Sequence, residues 1–219
     1  MRIVSHTRSL PAMSDTTPEI PGPAIPPHQL ILIRHGETEW SKSGQHTGLT
    51  DLPLLPEGEE AAAGLQQVLG DRSFSHVRCS PLQRARRTAE LAGLSIDEID
   101  EDLREWDYGG YEGRSTPEIR SELGYRWNVF HHQIVPGVTP GETVEQVAAR
   151  ASVVLDRIWP HLFDGDVALV GHGHALRILT SVYLRQAPRF GQHLTFQVGS
   201  VAILGHHREQ PTVEAWNHR

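Results

Sequence analysis

The sequence predicts an α/β fold in three layers, with a mostly parallel central sheet and helices on both of its faces. Short apolar runs typical of buried strands alternate with longer segments whose apolar residues recur at helical spacing. Strands that alternate with helices form parallel sheets covered on both sides. The 219 residues are enough for one full-sized core and too few for two. We therefore expect a single domain of this class.

The N-terminal residues 1–28 are predicted to form a disordered or extended tail that precedes a domain at residues 29–219. The tail holds six prolines among small polar residues, and proline lacks the N–H group that a helix needs. Translation can start at Met1 or at Met13. The segment has no long apolar stretch and no convincing cleavage site, so no signal peptide is predicted.

The predicted elements follow in order along the domain. Apolar runs predict strands at residues 29–34, 76–79, 166–170, 194–198, 201–205 and 213–216. The first of these strands ends just before a glycine. Apolar residues at helical spacing predict helices at 57–69, 81–91, from 115 onward, within 141–161 and at 175–184. Proline-containing segments mark the starts of the first three, at Pro56, Ser80-Pro81 and Ser115-Thr116-Pro117.

Cationic and imidazole side chains follow three of these strands. Arg34 and His35 end the first strand, Arg84 follows the second, and His172 and His174 follow the third. Ligands of parallel sheets bind beyond the carboxyl ends of the strands. We therefore expect these side chains to meet at one edge of the sheet and to form a functional site there.

Composition excludes several other classes of protein. The net charge of −7 argues against binding to nucleic acid, and no apolar run approaches the roughly 18 residues of a membrane span. Cys79 is the single cysteine and cannot form an internal disulfide, so a cytoplasmic location is expected, while a catalytic thiol remains a weak alternative. Neither a cofactor nor a metal is expected, and a homodimer remains open.

Four blocks of residues resemble the histidine phosphatase superfamily, which includes the cofactor-dependent phosphoglycerate mutases. The likeness covers residues 30 to about 205, and the blocks are 32–38 (LIRHGET) with Thr47-Gly48, Ser80-Pro81 with Arg84, 104–109 (REWDYG) and 171–173 (GHG). One Arg-His-Gly triplet arises by chance, but four blocks in order are strong evidence. The sedoheptulose-bisphosphatase branch and broad-range acid phosphatases are the most similar.

The resemblance implies a catalytic role for five residues. His35 is the nucleophile, His172 donates hydrogen bonds to the phosphoryl group, and Glu105 protonates the leaving group. Arg34 and Arg84 neutralise the phosphate oxygens and disfavour protonation of His35. Substrate contacts are expected from Ser41, Gln45, Thr47, Gly48, Tyr108 and His174.

Each assignment has a structural alternative. His35 is otherwise a core histidine, the pair His172 and His174 is half of a metal site, and Glu105 pairs with Arg104 or Arg34 on a surface loop. Asp107 is the rival acid.

The resemblance implies a metal-independent phosphatase that acts on a small phosphorylated metabolite, which we expect to be a sugar phosphate or bisphosphate. Two other functions remain open. A phosphoglycerate mutase needs further cations for a bisphosphate, and residues 111–117 and 127–137 supply only Arg114. A non-catalytic phosphate-binding or scaffold protein would usually have lost one of the five catalytic residues. We therefore predict hydrolysis.

Overall fold

The computed structural model describes residues 24–219. The tail predicted for residues 1–28 lies outside the described residues except for its last five, in which there is no helix or strand. The tail and both candidate start sites therefore stay predictions.

A single mixed sheet of six strands forms the middle layer. Its strands are β1 (Leu30–Arg34), β2 (Phe74–Cys79), β3 (Glu98–Ile99), β4 (Asp166–Gly171), β5 (Ser200–His207) and β6 (Gln210–His218). They lie in the order β3-β2-β4-β1-β5-β6. The pairs β3–β2, β2–β4 and β4–β1 are parallel, whereas β5 and β6 add an antiparallel edge. Since β1 and β4 are adjacent and parallel, their carboxyl ends lie side by side.

Six α-helices connect the strands: α1 (Glu39–Ser43), α2 (Pro56–Leu69), α3 (Gln83–Leu91), α4 (Thr116–Leu123), α5 (Val144–Ile158) and α6 (Gly173–Tyr183). Short 3₁₀ helices span Glu101–Leu103, Gly109–Tyr111, Pro160–Phe163 and Pro188–His193. Reciprocal caps fix the first turns of α1, α4 and α5, with Thr38, Ser115 and Thr143 as the N-cap residues. Pro56 starts α2, as its fixed φ angle favours.

Alternate residues of the central strands bury opposite faces of the sheet. Leu30 and Leu32 of β1 pack with α5 and α6, while Ile31 and Ile33 pack with α2 and α3. All four side chains are fully buried. The predicted three-layer α/β fold is thus confirmed. A third, largely aromatic cluster lies to one side and joins α4 and residues 127–130 to α5 and α6, with members that include Trp106, Tyr108, Trp127 and Phe130.

The strand predicted at residues 194–198 is wrong. This segment has no strand, because side chains rather than a neighbouring strand satisfy its backbone groups. The Thr195 carbonyl accepts from Trp216 and Asn217, the Phe196 carbonyl accepts from Arg34, and the Gln197 N–H donates to Asn217. Within residues 24–219, none of the helices combines the length and the apolar character that crossing a bilayer requires.

Candidate active site

The carboxyl ends of β1 and β4 bring two histidines together. Arg34 pairs with Gly171 in the parallel register, and the His35 N–H donates to the Gly171 carbonyl at 3.0 Å. The ring centroids of His35 and His172, the residues that follow the two strands, are 5.1 Å apart. The sheet edge therefore holds these two imidazoles side by side.

His35 presents an unprotonated nitrogen. Its Nδ1 atom lies 2.7 Å from the Gly36 carbonyl, and since a carbonyl only accepts, Nδ1 carries the proton. The Nε2 atom has no hydrogen-bond partner within residues 24–219. Burial, and then the charges of Arg84 and Arg34, hold the pKa of His35 well below its usual value, so the ring is neutral. Gly36 must be glycine here, because a Cβ would lie 2.2 Å from the Gly58 carbonyl oxygen.

Arg84 fixes the second histidine. Its Nε donates to His172 Nδ1 at 3.1 Å, while its terminal nitrogens donate to the carbonyls of Thr47, Gly48 and Thr50. Because the guanidinium can only donate, the proton of His172 is on Nε2, 2.7 Å from Ser80 Oγ. Both Arg84 and His172 are fully buried. Burial, followed by the charge of Arg84, holds the pKa of His172 well below its usual value.

Arg34 offers a free hydrogen-bond donor. Its Nη1 atom donates to the Phe196 carbonyl, whereas its Nε atom is buried without a partner among the described residues. The guanidinium lies against the first residue of α6, since a Cβ on Gly173 would be 2.9 Å from Arg34 Cζ. An unsatisfied buried cationic donor is costly unless a ligand pairs with it. The geometry therefore suits an anion at this position.

Glu105 lies at the N-terminus of α6. Oε1 accepts from the backbone N–H groups of Trp106 and Ala175, at 2.9 and 2.8 Å, and Oε2 accepts from that of His174 at 3.0 Å. Its neighbour Arg104 forms an ion pair with Glu101 instead. Glu105 is thus a buried carboxylate beside the histidines rather than half of a surface ion pair with Arg104.

The rival carboxylate, Asp107, has a structural role. It accepts hydrogen bonds from the Gly109 and Gly141 N–H groups and from Thr139 Oγ1. These bonds hold residues 139–141 against the segment that follows Glu105. Asp107 does not line the cavity at the site.

A cavity of about 360 Å³ opens from His35. Its walls include Arg34 and Glu105 together with five of the predicted substrate contacts, which are Ser41, Gln45, Thr47, Tyr108 and His174. Gly48 lies outside the lining and instead donates its N–H to Glu112. Such a volume is near the lower end for small-molecule sites, which span roughly 300–1,000 Å³.

Two of these lining residues use their polar groups within the protein. Ser41 Oγ accepts from the Thr38 N–H and donates to the Thr38 carbonyl as part of the cap of α1. Gln45 donates to the Gly113 carbonyl at 2.6 Å and accepts from Ser43 Oγ. The Tyr108 hydroxyl likewise shares a hydrogen bond with His174 Nδ1, at 2.6 Å.

Several residues that shape the site are not among those predicted from the sequence. Glu112 accepts from the N–H groups of Gly48 and Thr50, so the loop whose carbonyls bind Arg84 is held from both sides. The far wall of the cavity was also missed, and it consists of His46, Thr116, Arg120, Asn128, Val129, Phe130, Arg177 and Gln192. The i, i+4 spacing of Thr116 and Arg120 was the available signal.

No group of three or more histidine, cysteine or acidic side chains within residues 24–219 is arranged to hold a metal ion. The alternative interpretation, in which His172 and His174 form half of a metal site, therefore has no further ligand group in the part of the chain that the structure describes.

Acid is expected to destabilise the protein partly through His46. Burial lowers its pKa to about 4, from 6.5 for an exposed histidine, so the unfolded chain binds more protons between those values. The contribution of the neutral His46 ring to the free energy of unfolding is complete above about pH 6.5 and is lost as the pH falls toward 4. Chemical unfolding of wild type and His46→Gln at pH 7 and pH 4 measures this effect. The fall in the free energy of unfolding between the two pH values should be about 3 kcal/mol smaller in His46→Gln.

Exposed His207 provides the matched control for this experiment. His207→Gln should keep the wild-type difference between the two pH values. An equal difference in His46→Gln and wild type would contradict the assignment.

Comparisons with known proteins agree with this geometry. A family model described as "Histidine phosphatase superfamily (branch 1)" matches residues 30–219. The acid phosphatase of Mycobacterium tuberculosis is 39% identical over 180 residues, which are 81% of this chain and 86% of the relative. The sedoheptulose 1,7-bisphosphatase of Saccharomyces cerevisiae is 37% identical over 191 residues, 74% and 69% of the two chains. A solved structure of an open reading frame from M. tuberculosis has a TM-score of 0.81 at 35% identity and covers 88% of this chain and 98% of its own.

Proposed function

Because the chain belongs to branch 1 of the histidine phosphatase superfamily, we propose that it hydrolyses small phosphomonoesters through a phosphohistidine formed on His35. The family resemblance in the sequence is confirmed, and the two relatives described above are phosphatases. The chain is accordingly a histidine phosphatase. The roles of individual residues and the identity of the substrate are our proposal.

One observation carries the assignment of the nucleophile: the neutral ring of His35 has its proton on Nδ1 and its free Nε2 at the cavity. In the first step, Nε2 attacks phosphorus, the N–P bond forms and the ester P–O bond breaks. The guanidinium of Arg34, which lines the cavity, donates to a phosphoryl oxygen, and the charge of Arg84 offsets the negative charge nearby. His172 keeps its hydrogen bond from Arg84 and shares its Nε2–H between Ser80 Oγ and another oxygen of the same group.

In the proposed cycle Glu105, which lines the cavity with His35, starts as the carboxylic acid and gives its proton to the leaving alkoxide. Glu105 then accepts a proton from water as the water oxygen attacks phosphorus and the N–P bond breaks. Inorganic phosphate leaves, and His35 returns to its neutral form. All the catalytic groups in this reaction cycle are side chains of the protein, so each turnover consumes only the ester and water.

The two alternative functions have weaker support. A mutase would have to retain the phosphoryl group for transfer to a second substrate, whereas both relatives described above are hydrolases by name. A scaffold protein would gain nothing from two buried neutral histidines beside an unpartnered arginine donor, which cost stability unless a ligand uses them.

The wild-type protein is expected to release phosphate from a small aryl phosphate, and chelator should leave the rate unchanged because imidazole and guanidinium groups supply the chemistry. A hydrolysis screen across sugar phosphates, sugar bisphosphates, phosphoglycerates and nucleotides, with and without EDTA, measures both points. A mutase assay with and without bisphosphoglycerate runs beside it. Phosphate transfer without release would overturn hydrolysis, and a rate that disappears with EDTA and returns with a metal would overturn metal independence.

A further inference from the structure

The segment that carries Glu105 has no regular secondary structure. Residues 104–108 lie between two 3₁₀ helices and form neither helix nor strand. Backbone groups inside regular elements are bound by a neighbouring turn or strand, whereas the groups of this segment need other partners. Two charged side chains provide many of them, those of Arg150 on α5 and of Glu142 just before that helix.

Arg150 uses all five of its N–H donors within the protein. Nη1 donates to the carbonyls of Asp102 and Arg104, at 2.8 and 2.7 Å, and Nη2 donates to the Glu105 carbonyl at 3.1 Å. The other two bonds run from Nε and Nη2 to the carboxylate oxygens of Glu142, at 2.9 and 3.0 Å. Because the guanidinium is a rigid plane, one side chain fixes three carbonyls up to and including that of Glu105.

Glu142 holds the residues that follow Glu105. Its Oε2 atom accepts from the Asp107 N–H at 2.9 Å, and its carbonyl accepts from the indole Nε1 of Trp106 at 2.8 Å. Its own N–H donates to the Asp107 carbonyl at 2.9 Å. The side chains of Arg150 and Glu142 are only 14% and 24% exposed, so their charged hydrogen bonds are largely shielded from water.

The pair acts from outside the cavity. Neither Arg150 nor Glu142 is among the described residues that line it. Two sets of contacts therefore fix Glu105. Backbone N–H groups of Trp106, His174 and Ala175 bind its carboxylate, and the ion pair binds the backbone from which the carboxylate extends.

We propose that the ion pair of Arg150 and Glu142 positions Glu105 for transfer of its proton to the leaving group. The inference rests on the function proposed above and adds two positioning residues that act through the acid. Proton transfer needs hydrogen-bond distance between the acid and the leaving oxygen, and a misplacement of about 1 Å can cost roughly 100-fold in rate. The pair should therefore matter most for esters whose leaving group needs a proton.

Arg150→Lys tests the proposal. Lysine keeps the positive charge beside Glu142, but its three donors on one nitrogen cannot reproduce five bonds in a plane. We expect the ratio of kcat/KM for a sugar phosphate to that for an aryl phosphate to fall by about tenfold. Glu142→Gln keeps the shape of that side chain, removes its charge and should lower the same ratio.

A second comparison separates positioning from a general loss of stability. Arg150→Lys is added to Glu105→Gln, and the ratio should fall no further because the acid that Arg150 positions is already gone. Arg72→Lys is the matched control, since Arg72 pairs with Asp166 at the amino end of β4. It should keep the wild-type ratio. Thermal unfolding of every variant is measured on the same preparations.

The ratios decide the proposal. A lower ratio in Arg150→Lys and Glu142→Gln, with no further fall in the double variant, supports it. Equal losses on both esters, or a fall of the same size in the Glu105→Gln background, would overturn it. Should Arg150→Lys not fold, Glu142→Gln and its combination with Glu105→Gln decide in the same way. Wild-type protein that hydrolyses neither ester overturns the proposed function instead.

Discussion

Replacement of His35 by alanine is expected to abolish phosphate release while the protein stays folded. The substitution removes the nitrogen that attacks phosphorus in the proposed first step, so we expect kcat to fall by at least about a thousandfold on every substrate. The fold should survive because, within residues 24–219, the only side-chain hydrogen bond of His35 is to its own neighbour, Gly36. Phosphate release and thermal unfolding are measured on the same preparation.

His206→Ala is the matched control, because this half-buried histidine contacts Trp159 and Tyr183 at the opposite end of β5. It should retain wild-type turnover. Acid quench of wild type during turnover should trap an acid-labile, base-stable phosphoryl label on His35. A label on serine, or wild-type turnover by His35→Ala, would refute the nucleophile assignment.

Replacement of Glu105 by glutamine should slow esters with poor leaving groups far more than aryl phosphates. An alkoxide needs a proton that glutamine cannot supply, and the expected loss on alkyl phosphates is about 10²–10⁴-fold in kcat/KM. An aryl oxide leaves without that proton. The measurement is the ratio of kcat/KM for a sugar phosphate to that for an aryl phosphate.

The ratio separates chemistry from structure at this position. Glutamine replaces one carboxylate oxygen by an NH₂ group, so one of the three backbone N–H donors from Trp106, His174 and Ala175 loses its acceptor. That loss affects all substrates alike and cancels in the ratio. Equal losses on both substrate classes would move the acid to another residue.

The sequence predicted the parts of the fold and site whose signals are local. Apolar runs located β1, β2 and β4, and the residues just after β1 and β4 placed His35 beside His172. The apolar pattern of residues 194–198 suits a strand, so the prediction there was wrong. Side chains distant in sequence, those of Arg34, Trp216 and Asn217, form hydrogen bonds with the backbone groups of this segment that a neighbouring strand would otherwise bind.

The far wall could not be predicted for a related reason. Arg120 belongs to the site only because Trp127, Phe130 and their neighbours pack α4 against α5 and α6, and no local pattern encodes that contact. The orientation of Arg84 toward His172 likewise depends on Glu112, which holds the intervening loop from the other side.

The two ends of the cavity are supported by different cores. His35 and His172 follow strands packed in the main sheet, whereas Arg120 and Phe130 depend on the smaller aromatic cluster. Substitutions at Trp127 or Phe130 can therefore alter which molecules are accepted and leave the two histidines undisturbed. Such a division lets one ancestral catalyst diversify into enzymes for different metabolites without rebuilding its reaction centre.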